Sequence, residues 1–85
     1  MIYSLITEHT DTLTKCKILK ERNSNIISEI HKTNLIQSEN IEFIESMKIW
    51  KRRVESEFIG NLQNIETLEI DLDMLDEKIR KINQG

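Results

Sequence analysis

Side chains that could perform chemistry are few in this chain, and their spacing does not assemble a reactive group. His9 and His31 are too far apart to lie within one helical turn, and Cys16, the single cysteine, has no histidine next to it. The three aspartates of residues 71–76 resemble a calcium loop but lack its central glycine. The sequence therefore predicts no catalytic residue, no metal site and no cofactor, and we expect the protein not to be an enzyme.

Residues 48–53 have the composition of a nucleic-acid contact. They place four cations around Trp50. A protein can bind single-stranded nucleic acid when an aromatic ring stacks on a base and nearby cations contact the phosphates. The presence of Trp50 is also explained by packing, because its ring lies beside Met47 and Val54 on the helix. A net charge of −3 gives no global attraction to nucleic acid or to an anionic membrane. A nucleic-acid-binding helix that uses this basic cluster is therefore the alternative function, and nucleic acid is not the expected partner.

The composition favours helix throughout. The chain of 85 residues contains no proline, no alanine and only two glycines, and 32% of its residues are charged. A β-rich domain needs turn residues at regular intervals, and these are missing, whereas a helix can run far without proline. We therefore expect one all-α region that covers residues 1–85.

The strongest helical pattern lies in residues 58–82. Its apolar residues alternate in steps of three and four, with acidic residues on the outer faces, which is typical of a coiled coil. The positions of this apolar stripe, a and d of the heptad, are called the seam below. In this segment the seam is Ile65, Leu72 and Ile79 at a, and Leu68, Leu75 and Ile82 at d. Such a stripe requires a second helix, either from another chain or from another part of this one.

The heptad frame extends back to Ile2 without a shift, and 16 of its 24 seam positions are apolar when cysteine is counted. An unbroken frame favours one continuous helix, roughly 120 Å long at 1.5 Å per residue. Two parts are weaker: residues 1–22, which contain polar seam positions, and residues 33–40, where three seam positions in a row are polar. The alternative fold is an α-hairpin that turns near residues 33–40, with Ser38 as the cap of its second helix.

The middle of the chain has a broader apolar face than two helices need. Ile41 lies at e, and Phe43 and Trp50 lie at g, a width typical of packing among three or four helices. We therefore expect a coiled coil or helical bundle with partner chains rather than a functional monomer. The residues predicted to contact the partner are Ile44, Met47, Trp50, Val54, Phe58, Ile65, Leu68, Leu72, Leu75, Ile79 and Ile82.

Charge is distributed in blocks along the chain. Cations concentrate in residues 15–22 and 48–53, whereas residues 55–77 carry eight acids and no base. A parallel self-dimer would place the acidic blocks against each other, although salt screens part of that repulsion. The expected partner is therefore a different helical chain or an antiparallel copy of this one.

Three asparagines occupy seam positions: Asn23, Asn40 and Asn61. A buried asparagine in a coiled coil lowers stability but fixes the register or the number of strands. The other interpretation is that these residues mark solvated kinks, and the sequence alone supports both.

Three pairs of neighbouring residues follow one another in an order that resembles the N-terminal coiled coil of a synaptonemal-complex central-element protein: Lys15-Cys16, Ile30-His31 and Trp50-Lys51. The resemblance covers about residues 13–51 and requires a gap before the last pair. It implies a coiled-coil component of a meiotic, chromosome-associated assembly, and it carries no individual site residue with it.

These observations predict a structural coiled-coil subunit that mediates assembly of a larger complex, whether chromosome-associated, cytoskeletal or tethering. With a single cysteine the chain forms no internal disulfide, which fits a reducing compartment. No apolar run reaches the length of a membrane span, and the N-terminus lacks the pattern of a signal peptide. We expect an intracellular protein, nuclear or cytoplasmic, without contact to a membrane.

Overall fold

The computed structural model, which describes residues 2–84, is a hairpin of two α-helices. Helix α1 comprises Ile2–Asn34 (33 residues) and helix α2 comprises Ile41–Gln84 (44 residues). The all-α class is confirmed, and the hairpin measures 67 × 16 × 14 Å. The single helix of roughly 120 Å is not formed, because the chain reverses direction between Asn34 and Ile41, within the polar segment 33–40 where the sequence places a possible turn.

Capping explains why the chain turns here. The last turn of α1 tightens through two hydrogen bonds, from the Leu35 N–H to the Lys32 carbonyl (3.2 Å) and from the Ile36 N–H to the Thr33 carbonyl (3.1 Å). Asn40 then starts α2, because its side-chain oxygen accepts the Phe43 N–H at 3.2 Å.

The cap predicted at Ser38 is therefore wrong. Asn40 stands three residues before Phe43 and can reach the N–H group that an N-cap residue normally serves. Ser38 instead accepts the Asn40 N–H on its hydroxyl oxygen at 3.1 Å, and so holds the capping residue in place.

The seam positions predicted from the sequence are the positions that the two helices bury. Every seam residue of α1 and every seam residue of α2 up to Ile79 is buried or half-buried, whereas Gln37, Asn40 and Ile82 are exposed. The most buried apolar side chains are Cys16, Ile26, Val54, Ile65 and Leu75. Helix α1 thus supplies the second helix that the apolar stripe of α2 requires.

A side-chain hydrogen bond between Asn23 and Asn61 identifies the antiparallel register. Moving one heptad toward the open end of the hairpin places Cys16 opposite Leu68, and moving one heptad toward the turn places Ile30 opposite Val54. The hydrogen bond from Lys51 to the Asn34 side chain agrees with this register.

The same register leaves the start of α2 beyond the end of α1. Because Asn34 lies beside Lys51, residues 41–50 extend past α1 and run alongside the turn segment 35–40. Apolar side chains near the turn consequently stay in solvent: Leu35 is 70% exposed and Ile41 is 75% exposed.

The buried seam should dominate stability. Leu75→Ala, at a site only 5% exposed, should lower the free energy of unfolding by about 2–5 kcal/mol, because it removes packed methyl groups and leaves a cavity. Ile70→Ala on the same helix removes a comparable side chain that is 55% exposed and should cost much less. Urea titration followed by circular dichroism measures both variants, and equal losses would refute the seam assignment.

Candidate functional site

The residue types that could perform chemistry are dispersed or already paired. Within residues 2–84, no group of three or more histidine, cysteine, aspartate and glutamate side chains is placed to hold a metal ion. The His9 imidazole lies 2.8 Å from the Asp76 carboxylate across the two helices. Cys16 is buried in the seam with a free thiol. In the part of the chain that the structure describes, neither helix is long and apolar enough to cross a membrane.

A polar layer lies inside the seam, at Asn23 and Asn61. The Asn23 side chain is 5% exposed; its amide nitrogen donates to the Phe58 carbonyl at 3.3 Å, and its oxygen accepts the Asn61 amide at 2.9 Å. Across residues 2–84 no buried side-chain nitrogen or oxygen lacks a hydrogen-bond partner. The three seam asparagines therefore differ. Asn23 and Asn61 pair across the helices, whereas Asn40 is an exposed helix cap.

This layer selects one register. If α1 slid by one heptad along α2, Asn23 would face an apolar side chain, Val54 or Leu68, and its buried amide would lose its partner. An unpaired buried polar group costs about 1–3 kcal/mol. The asparagine pair therefore penalises each neighbouring register, which is the role that a buried asparagine has in coiled coils.

An ion pair borders the asparagine layer. Arg22 donates two hydrogen bonds to the Glu57 carboxylate, from Nε at 2.6 Å and from Nη2 at 3.3 Å. The hydrogen bond from Arg22 lowers the pKa of Glu57 below its ordinary value of 4.5, and the same bond raises the pKa of Arg22. Both side chains are partly in solvent, so the pair adds modest stability and mainly favours one orientation of the helices.

The charge blocks of the sequence meet within a single chain. Lys20 lies 2.9 Å from Glu69, and Arg22 lies 2.6 Å from Glu57, so the basic segment of α1 faces the acidic segment of α2. The acidic block of the sequence predicted a different helical chain, or an antiparallel copy, as the partner. The hairpin itself offsets part of this acidic charge, because α1 runs antiparallel to α2.

One side of the hairpin carries a row of exposed apolar side chains. In an antiparallel pair the e positions of both helices lie on the same side, as the Lys20–Glu69 contact shows. Apart from Ile41 next to the turn, the apolar residues at e on this side, with one neighbour at b, are between 45% and 58% exposed and are named the lateral face: Ile6, Leu13, Ile27, Ile59 and Leu62. Ile27 and Ile59 line a shallow groove between the helices together with Ile30 and Phe58.

A second apolar area lies where α2 extends past α1. We name it the turn-end cluster: Leu35, Ile36, Ile41, Phe43 and Trp50. Trp50 is half-buried, and the other four are exposed. The broad apolar face that the sequence predicts around Ile41 is thus partly in solvent.

The basic cluster at residues 48–53 is partly engaged in the hairpin. Lys51 donates to the Asn34 side chain and is half-buried, and Lys48 lies 3.6 Å from Glu45 one turn earlier on α2. Arg52 and Arg53 are exposed.

Most residues predicted to contact a partner chain pack against α1 instead. Val54, Ile65 and Leu75 are buried, and Ile82 is 39% exposed. The other seven are half-buried: Ile44, Met47, Trp50, Phe58, Leu68, Leu72 and Ile79. That these residues also contact another chain stays a prediction, since the helix they face here belongs to the same chain.

Sequence reasoning missed the Asn23–Asn61 pair, although a signal for it was present. One asparagine occupies an a position and the other a d position, the combination that faces across an antiparallel pair. A hairpin centred on segment 33–40 would place Asn23 near Trp50, and Asn23 meets Asn61 because α2 extends past α1. The prediction lacked both the choice between a continuous helix and a hairpin and the offset of the two helices.

Comparison with known proteins gives no relative: no family model, no curated protein and no solved structure matches this chain.

Loss of one asparagine should expose the cost of the polar layer. Asn61→Ala leaves the buried Asn23 oxygen without its donor and should lower the free energy of unfolding by about 1–3 kcal/mol. The control Asn64→Ala changes an exposed asparagine three residues away and should have little effect. Urea titration measures both variants, and a loss no larger than that of the control would contradict the role of the layer.

The Arg22–Glu57 pair should contribute to stability in a pH-dependent way. The folded-state pKa of Glu57 lies below 4.5, so ionised Glu57 stabilises the hairpin above that pH. This contribution is lost as pH falls through the lowered folded-state value. Glu57→Gln should therefore flatten the acid limb of unfolding free energy against pH, and Arg22→Gln should flatten it similarly. An acid limb that is unchanged in Glu57→Gln would show that the pair has no such role.

Proposed function

We propose that this chain is a non-enzymatic structural module, a preformed two-helix hairpin that binds a helix of another protein within a larger assembly. The lateral face carries the proposal. Its side chains are each about half in solvent and form two patches on one side of the hairpin, Ile6 with Leu13 and Ile27 with Ile59 and Leu62, separated by the Lys20–Glu69 ion pair. Exposed apolar surface of this kind is typical of sites that bind other proteins, and a third helix commonly packs into the groove between two others.

The charge that borders the lateral face indicates the chemistry of the partner. On α2, Glu55 at e and Glu66 and Asp73 at b lie on the same side as the apolar row and are exposed. A complementary helix has an apolar stripe with lysine or arginine along the border that faces α2, because the α1 border carries the exposed Lys17 at b. Such charges mainly guide orientation and the rate of encounter, whereas apolar burial supplies affinity at about 25 cal/mol per Å².

The kind of assembly is proposed only in broad terms. We propose a chromosome-associated complex, such as a meiotic one, or a cytoskeletal or tethering complex. The buried free thiol of Cys16 supports an intracellular location, nuclear or cytoplasmic, because such thiols persist in reducing compartments.

The nucleic-acid alternative has less support. Lys51 and Trp50 are partly covered within the hairpin, and Lys48 lies next to Glu45. Two exposed arginines, Arg52 and Arg53, provide few phosphate contacts for a chain whose net charge is negative.

Synthetic amphipathic peptides test the lateral face directly. We expect a helical peptide with a leucine stripe and lysines along one border to bind the hairpin more tightly than the same peptide with glutamates there. Leu13→Ser combined with Ile27→Ser should weaken this binding by about tenfold or more, since it removes two apolar contacts. The matched control, Ile18→Ser combined with Met74→Ser, changes two exposed apolar residues that lie outside the lateral face.

Titration calorimetry gives the dissociation constants, and circular dichroism verifies that each variant stays helical. No binding of either peptide, or an equal loss in both pairs of variants, would contradict the proposed function. Tight binding of single-stranded nucleic acid that persists at high salt and is lost in Trp50→Ala would favour the alternative.

A further inference from the structure

We infer that two copies of this chain exchange helices. In the exchanged dimer each hairpin opens at its turn, the chain becomes one continuous helix, and α1 of each copy packs on α2 of the other. Three properties of the described residues carry this inference, and none of them depends on the lateral face.

The first property is the phase of the seam across the turn. The seam runs from Thr33 through Gln37 and Asn40 to Ile44, in steps of four, three and four residues. If segment 35–40 becomes helical, the seams of α1 and α2 join on one face of a single helix. One residue more or fewer would rotate the α2 seam by about 100° around the helix axis, since a turn takes 3.6 residues. A hairpin that never opens has no need of this spacing.

The second property is the composition of the turn. It contains neither glycine nor proline, and no residue between positions 2 and 84 other than glycine has a positive φ. The turn is therefore free of the residues that break a helix. Becoming helical costs mainly the cap at Asn40, and in return the last turn of α1 and the first turn of α2 continue their backbone hydrogen bonds.

The third property is the register. The point midway between Asn23 and Asn61 is Glu42, at the start of α2. Two open chains related by a two-fold axis at this point place Asn23 of one copy against Asn61 of the other. Every seam layer of the hairpin, and every ion pair between its two helices, then forms between the copies, as in other exchanges of identical elements.

The exchange also covers part of the turn-end cluster. Phe43, at g, comes beside Ile36 of the second copy, as Arg22 lies beside Glu57 in the hairpin. Ile41, at e, comes beside Lys48 of the second copy, as Lys20 lies beside Glu69. In the hairpin these side chains are in solvent, because α1 ends before it reaches them. Four polar seam layers limit the gain, since Gln37 would face Met47 and Asn40 would face Ile44, each twice by symmetry. The hairpin is thus the form at low concentration, and the exchanged dimer forms as concentration rises.

A disulfide trap distinguishes the two forms. Cys16 lies opposite position 68 in the register, so Leu68→Cys introduces a thiol that can pair with it. The bond lies within one chain in the hairpin and links two chains in the exchanged dimer. Samples equilibrated under reducing conditions at increasing concentration are oxidised and read by mass. We expect covalent dimer to be scarce at the lowest concentration and to increase with it.

Two substitutions at one turn residue move the equilibrium in opposite directions. Gln37→Pro interrupts a continuous helix, and none of the turn's hydrogen bonds uses the Gln37 N–H, so this variant should form only the bond within one chain. Gln37→Leu should lower the concentration at which covalent dimer appears by about tenfold or more, because it makes the layer against Met47 apolar. In a control, Gln63→Cys replaces Leu68→Cys at an exposed position that does not face Cys16.

Small-angle scattering of the unaltered chain provides an independent measurement, free of any effect of Leu68→Cys on folding. The exchanged dimer should be roughly 120 Å long, against 67 Å for the hairpin. A chain that stays monomeric at every concentration, also as Gln37→Leu, would overturn the inference. Equal yields of covalent dimer in the Gln63→Cys control would overturn it too. A dimer that keeps its disulfides within each chain would overturn the exchange but support association of intact hairpins, and so the proposed function.

Discussion

The structure depends on the packing of α1 against α2 in a single register. The apolar seam supplies the driving force, yet repeating isoleucines and leucines fit nearly as well one heptad away. The buried pair of Asn23 and Asn61 breaks this degeneracy, because their amides satisfy each other only when the two face each other. The turn, the offset of α2 past α1 and the meeting of Arg22 with Glu57 follow from that register.

Much of the fold could be predicted from the sequence. The alternation of three and four residues predicted the side chains that the helices bury, from Ile2 to Thr33 and from Ile44 to Ile79, and the polar seam positions predicted where the chain turns. The sequence did not distinguish a continuous helix from a hairpin, because the heptad frame crosses the turn without a shift. That choice depends on the capping of two helix ends, where Asn40 rather than Ser38 starts α2, and local propensity distinguishes such caps poorly.

The functional surface was only partly predictable for the same reason. Residues such as Ile65 and Leu75 have the pattern of an interface, and a pattern does not say whether the second helix comes from the same chain. Because α1 packs on the seam of α2, the surface that remains for other proteins consists of apolar residues outside the a and d positions. The e positions form the lateral face, and the residues around Ile41 and Phe43 form the turn-end cluster. The first suits a third helix, and the second suits an exchange between copies.

Nuclear Overhauser contacts between α1 and α2 test the central claim most directly, in a sample whose mass by light scattering is that of one chain. The register predicts contacts from the Ile26 methyl groups to the Phe58 ring, together with contacts between the side-chain amides of Asn23 and Asn61. A helical monomer without these contacts would contradict the hairpin. Contacts displaced by one heptad, such as Ile26 to Ile65, would contradict the register that the asparagine pair is held to fix.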